Sequence, residues 1–157
     1  MKKIRALMKI IVLVLCQCLF LTMNTSSASE VRHLVLVANL RSTVAPLSSL
    51  EIHKLFLGVP MMNGDQRITP LRNETDSLLY EVFLQKIVYM SGPNYERQLL
   101  SQVYRLGGQR PPSFDDLPAL IKALEINPQA VTYMWITTVQ NIADIRVVQE
   151  LWQGTAE

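Results

Sequence analysis

Six residues near the middle of the chain, Arg72-Asn73-Glu74-Thr75-Asp76-Ser77, put a cation, two hydroxyls and two carboxylates directly before a run with helical apolar spacing. A helix N-terminus offers unpaired N–H groups and a partial positive charge, so such a turn is an anion site in embryo. The same residues fit a plainer role, in which Thr75, Asp76 or Ser77 N-caps the helix and the acids favour its dipole. Glu74 and Asp76 count against an anion. A carboxylate within ~5 Å of a bound oxyanion opposes it by about 1 kcal/mol or more, even at an effective dielectric near ~20.

Elsewhere the chemistry is sparse. His33 and His53 stand alone, with no Cys, second His or Asp-x-Asp pattern beside them, so no metal site is expected. Nucleophilic catalysis has no Gly-x-Ser-x-Gly elbow and no cysteine beyond Cys18 to work with. Asp115-Asp116 reads as a helix start, not a catalytic pair. Asn73-Glu74-Thr75 fits an N-glycosylation triplet, a pattern common by chance. Tyr133-Met134-Trp135 offers a ligand-facing aromatic strip, but strand core is the simpler use. Neither enzymatic activity nor a cofactor is expected.

The elements that position these residues alternate. Val31 to Asn39 is a β-rich run, followed by a polar connection to Pro46. Ser48 and Glu51 form a capping box, Leu47 and Ile52 a hydrophobic staple, and Gly58 ends the helix after Phe56-Leu57. A loop on Asn63-Gly64-Asp65 leads into a strand over Arg67 to Leu71, which Pro70 confines to an edge or a strand end. A long helix from Ser77 to Tyr89 buries Leu79, Val82, Phe83, Ile87 and Met90. Ser91-Gly92-Pro93 breaks it and opens another, with Tyr95, Leu99, Val103 and Leu106 facing inward. Ser113 or Asp115 caps a fourth helix carrying Leu117, Leu120, Ile121 and Leu124. Strands follow over Ala130 to Ile136 and Ile145 to Leu151. This order predicts an α/β domain over residues 29–152, a mixed sheet flanked by helices, with a frayed tail over 153–157.

The first 28 residues read differently. Lys2, Lys3, Arg5 and Lys9 precede an apolar stretch from Ile10 to Met23, and Ser26 and Ala28 fit the cleavage positions of a signal peptide. The stretch is short of the ~20 residues that span a bilayer, so export with cleavage is expected rather than stable membrane insertion. Leu15 and Gln17 beside the cysteines do not suit lipid attachment. Both Cys16 and Cys18 leave with the leader, and a secreted domain without disulfides points to a bacterial periplasm. Four of the fifteen basic residues also leave, so eleven Lys/Arg face thirteen Asp/Glu. No basic run remains to attract nucleic acid.

An ordered series of short motifs carries a resemblance. Phe56-Leu57-Gly58, Asn63-Gly64, Ile68-Thr69-Pro70, Phe83, Gly107-Gly108 with Pro111-Pro112, and Asn127-Pro128-x-Ala130-Val131-x-Tyr133 follow one another between Val35 and Met134. The first three resemble the segment leading into the second lobe of the phosphate-type periplasmic substrate-binding proteins, and the rest follow in that family's order. The resemblance implies one lobe of a type II periplasmic binding protein. It implies capture of phosphate or a similar anion for transport or sensing, alongside a membrane permease or sensor. In that family an Arg and a Ser-Gly-Thr triplet grip the phosphate; Arg72 and Ser77 match, while Leu78 and Leu79 stand where Gly and Thr are expected. Asn39 and Thr43, in the loop after the first strand, are further ligand candidates. The lost triplet favours a rival reading, a periplasmic protein-interaction module that has lost its ligand and docks on a membrane partner. Pairing of two copies into a two-lobed cleft is a third.

Overall fold

The structure, a computed structural model, describes residues 30–107 and 109–155; the expected signal peptide, 1–28, lies outside them. The centre of the fold is β1 (Val31–Asn39), whose residues from Leu34 onward are buried. Its apolar run is continuous because both faces are covered. After it come α1 (Ser49–Phe56), the short strands β2 (Met62–Asn63), β3 (Gln66–Arg67), β4 (Thr69–Pro70) and β5 (Arg72–Asn73), and α2 (Ser77–Phe83). A π-helical turn over Leu84–Val88 extends α2, and α3 (Gly92–Leu106), β6 (Ser113–Phe114), α4 (Leu117–Ile126), β7 (Ala130–Trp135), α5 (Ile136–Val139) and β8 (Ile145–Thr155) complete the chain.

The main sheet has the order β4-β7-β1-β8, with β4 parallel to β7 and the other pairs antiparallel. It is the mixed sheet that the sequence predicts. Pro70 sits in the edge strand, where its missing N–H breaks no ladder. Alternation along β1 divides the core. Leu34, Leu36 and Ala38 share one face with Val131, Tyr133 and Trp135 of β7, covered by α1, α2 and α3. Val35 and Val37 share the other with Ala130 and Met134, covered by α4 and α5. Phe83 stacks on Tyr133 at 3.9 Å between ring centres, and Phe56 packs edge-on against both.

The α1 unit is built as its residues dictate. Ser48 Oγ accepts from the Glu51 amide at 3.3 Å, and Glu51 Oε2 accepts from the Ser48 amide at 2.7 Å. Past the helix, the Val59 amide donates to the Lys54 carbonyl and the Gly58 amide to the Leu55 carbonyl, with Gly58 at φ +83°. This pair of bonds around a left-handed residue is a Schellman stop.

Several boundaries differ from the sequence reading. Arg67 closes a hairpin with Met62 instead of opening the sheet strand, which starts at Thr69. The long helix gains a π turn, which rotates its buried face; Leu84 and Val88 are buried as well as Ile87, and Tyr89 ends it at φ +55°. Asp116, not Ser113 or Asp115, caps α4, its carboxylate accepting from the Ala119 amide at 2.9 Å. Ser113 is taken instead by β6, which pairs with β5. Finally, β8 runs to Thr155 opposite Val31, so residues 153–155 are strand and not frayed tail.

Candidate functional site

The 72–77 turn is fixed from both sides. The Arg72 amide donates to the Pro112 carbonyl and the Glu74 amide to the Phe114 carbonyl, both at 2.8 Å, which joins β5 to β6. Between them the Asn73 side chain turns inward. Its Nδ2 donates to the Tyr133 carbonyl at 3.0 Å, and its Oδ1 accepts from the Thr75 amide and hydroxyl at 3.1 and 2.7 Å. Asn73 is 1 % exposed, so the sequon asparagine is a buried hinge of the turn. Of the three residues able to cap α2, Asp76 does so. Oδ1 accepts from the Leu79 amide at 2.9 Å, and Oδ2 accepts from Trp135 Nε1 at 3.3 Å.

Arg72 is buried, with 2 % of its side chain exposed, and its guanidinium is already engaged. Nε donates to the Pro111 carbonyl at 3.1 Å, and Nη1 donates to Glu96 Oε1 at 2.5 Å. Glu74 Oε1 lies 3.4 Å from the same Nη1. The Tyr95 ring lies under the guanidinium at 5.9 Å. Glu96 uses its second oxygen to accept from Arg110. Burial works against the Arg72 cation, but the Glu96 hydrogen bond and the neighbouring charges raise its pKa overall. Burial likewise opposes the Glu96 carboxylate, and Arg72 and Arg110 together hold it below the usual carboxylate range. Tyr80 and Tyr95 are pushed up, mainly by burial. Only the Arg72 end of this pair is buried, 35 % of the Glu96 side chain being exposed, so removing Glu96 strands an enclosed cation.

The remaining predicted residues take separate places. Ser77 shares the turn with Arg72 as the first residue of α2, with its side chain exposed. Asn39 is buried, its Oδ1 accepting from the Arg41 amide and Nε at 2.9 and 3.3 Å. Thr43 Oγ1 accepts from Asn63 Nδ2 at 3.1 Å, and the same Nδ2 donates to Gln129. Ala38 pairs with Val131, whereas Asp76 meets Trp135 at the other end of β7. At ~3.3 Å per residue this separates Asn39 from the α2 N-terminus by roughly 15 Å. The structure therefore joins Arg72 to Ser77 and leaves Asn39 and Thr43 elsewhere. His33 Nδ1 contacts Glu150 at 2.6 Å, and His53 Nδ1 contacts the Ile87 carbonyl at 3.1 Å. Among the described residues no three His, Cys, Asp or Glu side chains come together as metal ligands.

Sequence reading missed Glu96 and Arg110. Glu96 follows the inward-facing Tyr95, and nothing in its local spacing announces a partner 24 positions earlier. Beside Arg110, a cleft walled by Leu55, Ile68, Pro111 and Pro112 encloses about 80 Å³. Small-molecule pockets hold roughly 300–1,000 Å³.

No family model matches the sequence, and no curated protein matches it. Solved structures that share the fold include two phosphate-transport proteins. The crystal structure of PstS from Borrelia burgdorferi aligns with a TM-score of 0.55 at 9 % identity, covering 76 % of this chain and 47 % of that one. An ABC-type phosphate transport receptor from Vibrio cholerae aligns with a TM-score of 0.51 at 14 % identity, covering 76 % of this chain and 46 % of the receptor. The chain thus has the α/β fold of one lobe, and spans about half the length of the structures it matches.

Proposed function

We propose that this chain is an exported, non-enzymatic binding-protein-like domain that docks on a protein partner in place of capturing phosphate. One observation carries the reading. The cation at the position expected to grip an anion is buried and closed by Glu96, with Glu74 at its side. A free oxyanion would have to displace a tethered carboxylate and enter beside a second one. Leu78 and Leu79, in place of glycine and threonine, remove a hydroxyl and the close backbone approach that glycine permits. Tyr89 and Tyr104 stand exposed on the helical layer, and exposed tyrosines are frequent anchors in protein interfaces. With the leader removed in a periplasm, the partner is a membrane permease or a sensor exposed to that compartment.

The second reading, capture of phosphate or a similar anion, is favoured by the fold it shares with a phosphate transport receptor. Thermal unfolding with inorganic phosphate separates the two. A ligand at ~100 times its Kd adds about 2.7 kcal/mol. The docking reading predicts no shift at millimolar phosphate. A shift that disappears in Arg72→Ala would favour capture.

A further inference from the structure

The last strand leaves one side of the sheet open. β8 is outermost in the order β4-β7-β1-β8 and pairs with β1 alone, along all 11 of its residues. Among the described residues no backbone-to-backbone hydrogen bond outside that ladder reaches β8. Such a row of unpaired N–H and C=O groups is a template for another strand. The opposite edge, β4, is two residues long and carries Pro70, so it offers no comparable row.

The helical layer turns this edge into a groove. Two recesses lie between β8 and the helix made by α2 and its π turn. One, of about 60 Å³, has Leu151 on the strand side and Ile52, Ile87 and Tyr89 across from it. The other, of about 100 Å³, sets Trp152 and Thr155 against Leu78 and Val82, with the exposed Glu81 beside them. Each has room for a side chain and not for a free ligand of drug size. The first touches residues 149–151 of β8 and the second Trp152 and Thr155, so they lie roughly 12 Å apart along the strand. In an extended segment, positions i and i+4 are ~13 Å apart and share a face with i+2. Lys86 lines both recesses, which sets it opposite i+2. Among the described residues Lys86 makes no ion pair, and Glu150 is already bonded to His33. Tyr89 stands exposed at φ +55° where the π turn ends, and π turns and strained residues gather at binding sites.

We propose that the β8 edge takes up an extended segment of the docking partner, about five residues long, with apolar, acidic and apolar side chains at i, i+2 and i+4. The segment adds a strand to the sheet through its backbone, fills the two recesses with its apolar side chains and sets its acid against Lys86. Glu81 repels a second acid at the far recess and so fixes where the negative charge lies. Register shifts opposite Leu34/Val35 and Leu36/Val37 bulge β8, so a long flat neighbour, such as the β8 of a second copy, pairs poorly. This inference rests on the docking reading and names the surface that docks and the kind of chain it takes.

The probe is an end-capped fluorescent peptide of about seven residues, in which leucine, glutamate and leucine alternate with threonines. It is titrated into the native chain and followed by anisotropy. The expected result is saturable one-to-one binding with a Kd below ~1 mM, and β8 amide hydrogen exchange slowed ~10-fold or more at saturation. Lys86→Glu should weaken binding ~10-fold or more, and a peptide with lysine in place of its glutamate should bind that variant again. Methylating the peptide amides along one edge should abolish binding, and methylating those along the other should not. No saturation, or binding indifferent to Lys86→Glu and to both methylation patterns, overturns the proposal while leaving the docking reading in place. A native dimer whose β8 amides are already protected assigns the edge to a second copy and overturns it too. A phosphate-dependent shift lost in Arg72→Ala overturns the docking reading instead, whether or not the peptide binds.

Discussion

At the scale of single residues, two polar groups, the Tyr133 hydroxyl and the Glu96 carboxylate, should have opposite effects when removed. Among the described residues the buried Tyr133 hydroxyl meets no hydrogen-bond partner, so it costs desolvation and gains no bond from them. Tyr133→Phe should leave stability unchanged or raise it by up to ~1 kcal/mol, measured by urea unfolding. A loss larger than that would mean the hydroxyl is bonded. Glu96 behaves otherwise. Its pKa is lowered in the fold, so its stabilisation is present above the ordinary glutamate value of ~4.3 and is lost as pH falls through the folded value. The wild type should therefore exceed Glu96→Gln in stability at neutral pH, and the gap should narrow as pH falls below the ordinary glutamate value, through the lowered value of the fold. A constant gap across that range would remove the Arg72–Glu96 pair as its cause. Arg72 itself was visible in the sequence as a candidate, whereas its burial and its partners were not. Local spacing shows which helix face turns inward; it does not show which carboxylate meets a buried cation from 24 positions away.

At the scale of elements, the best-read segment was α1 and its flanks. Every signal there is local: the capping box, the glycine stop, and an apolar face of Ile52, Leu55 and Phe56. Gly58 is the testable end of it. At φ +83° a side chain is strained even though the space around its Cβ position is ordinary, the nearest atom being the Gln109 carbonyl oxygen at 3.5 Å. Gly58→Ala should destabilise by about 1 kcal/mol, seen as a lower urea midpoint with unchanged slope. A neutral result would show that this turn relaxes without the left-handed residue. The elements misread are those set by long-range pairing. Ser113 is drawn into β6 by β5, the last strand is lengthened to Thr155 by β1, and the rotated face of the π turn follows the core it meets. None of these has a signature within a window of neighbouring residues.

At the scale of the whole molecule, alternation of strands and helices made the class readable, and an ordered series of weak motifs made the lobe readable. The partners of Arg72 were not readable, because they depend on how β5, α3 and the turn before β6 meet. Under the proposed function, Glu96 fills the place beside Arg72 that an anion would need, and the surface, not a cleft, does the binding. Calorimetric titration of inorganic phosphate into the native chain tests this most directly. The predicted result is no saturable heat at millimolar phosphate. One-to-one binding that vanishes in Arg72→Ala would contradict it.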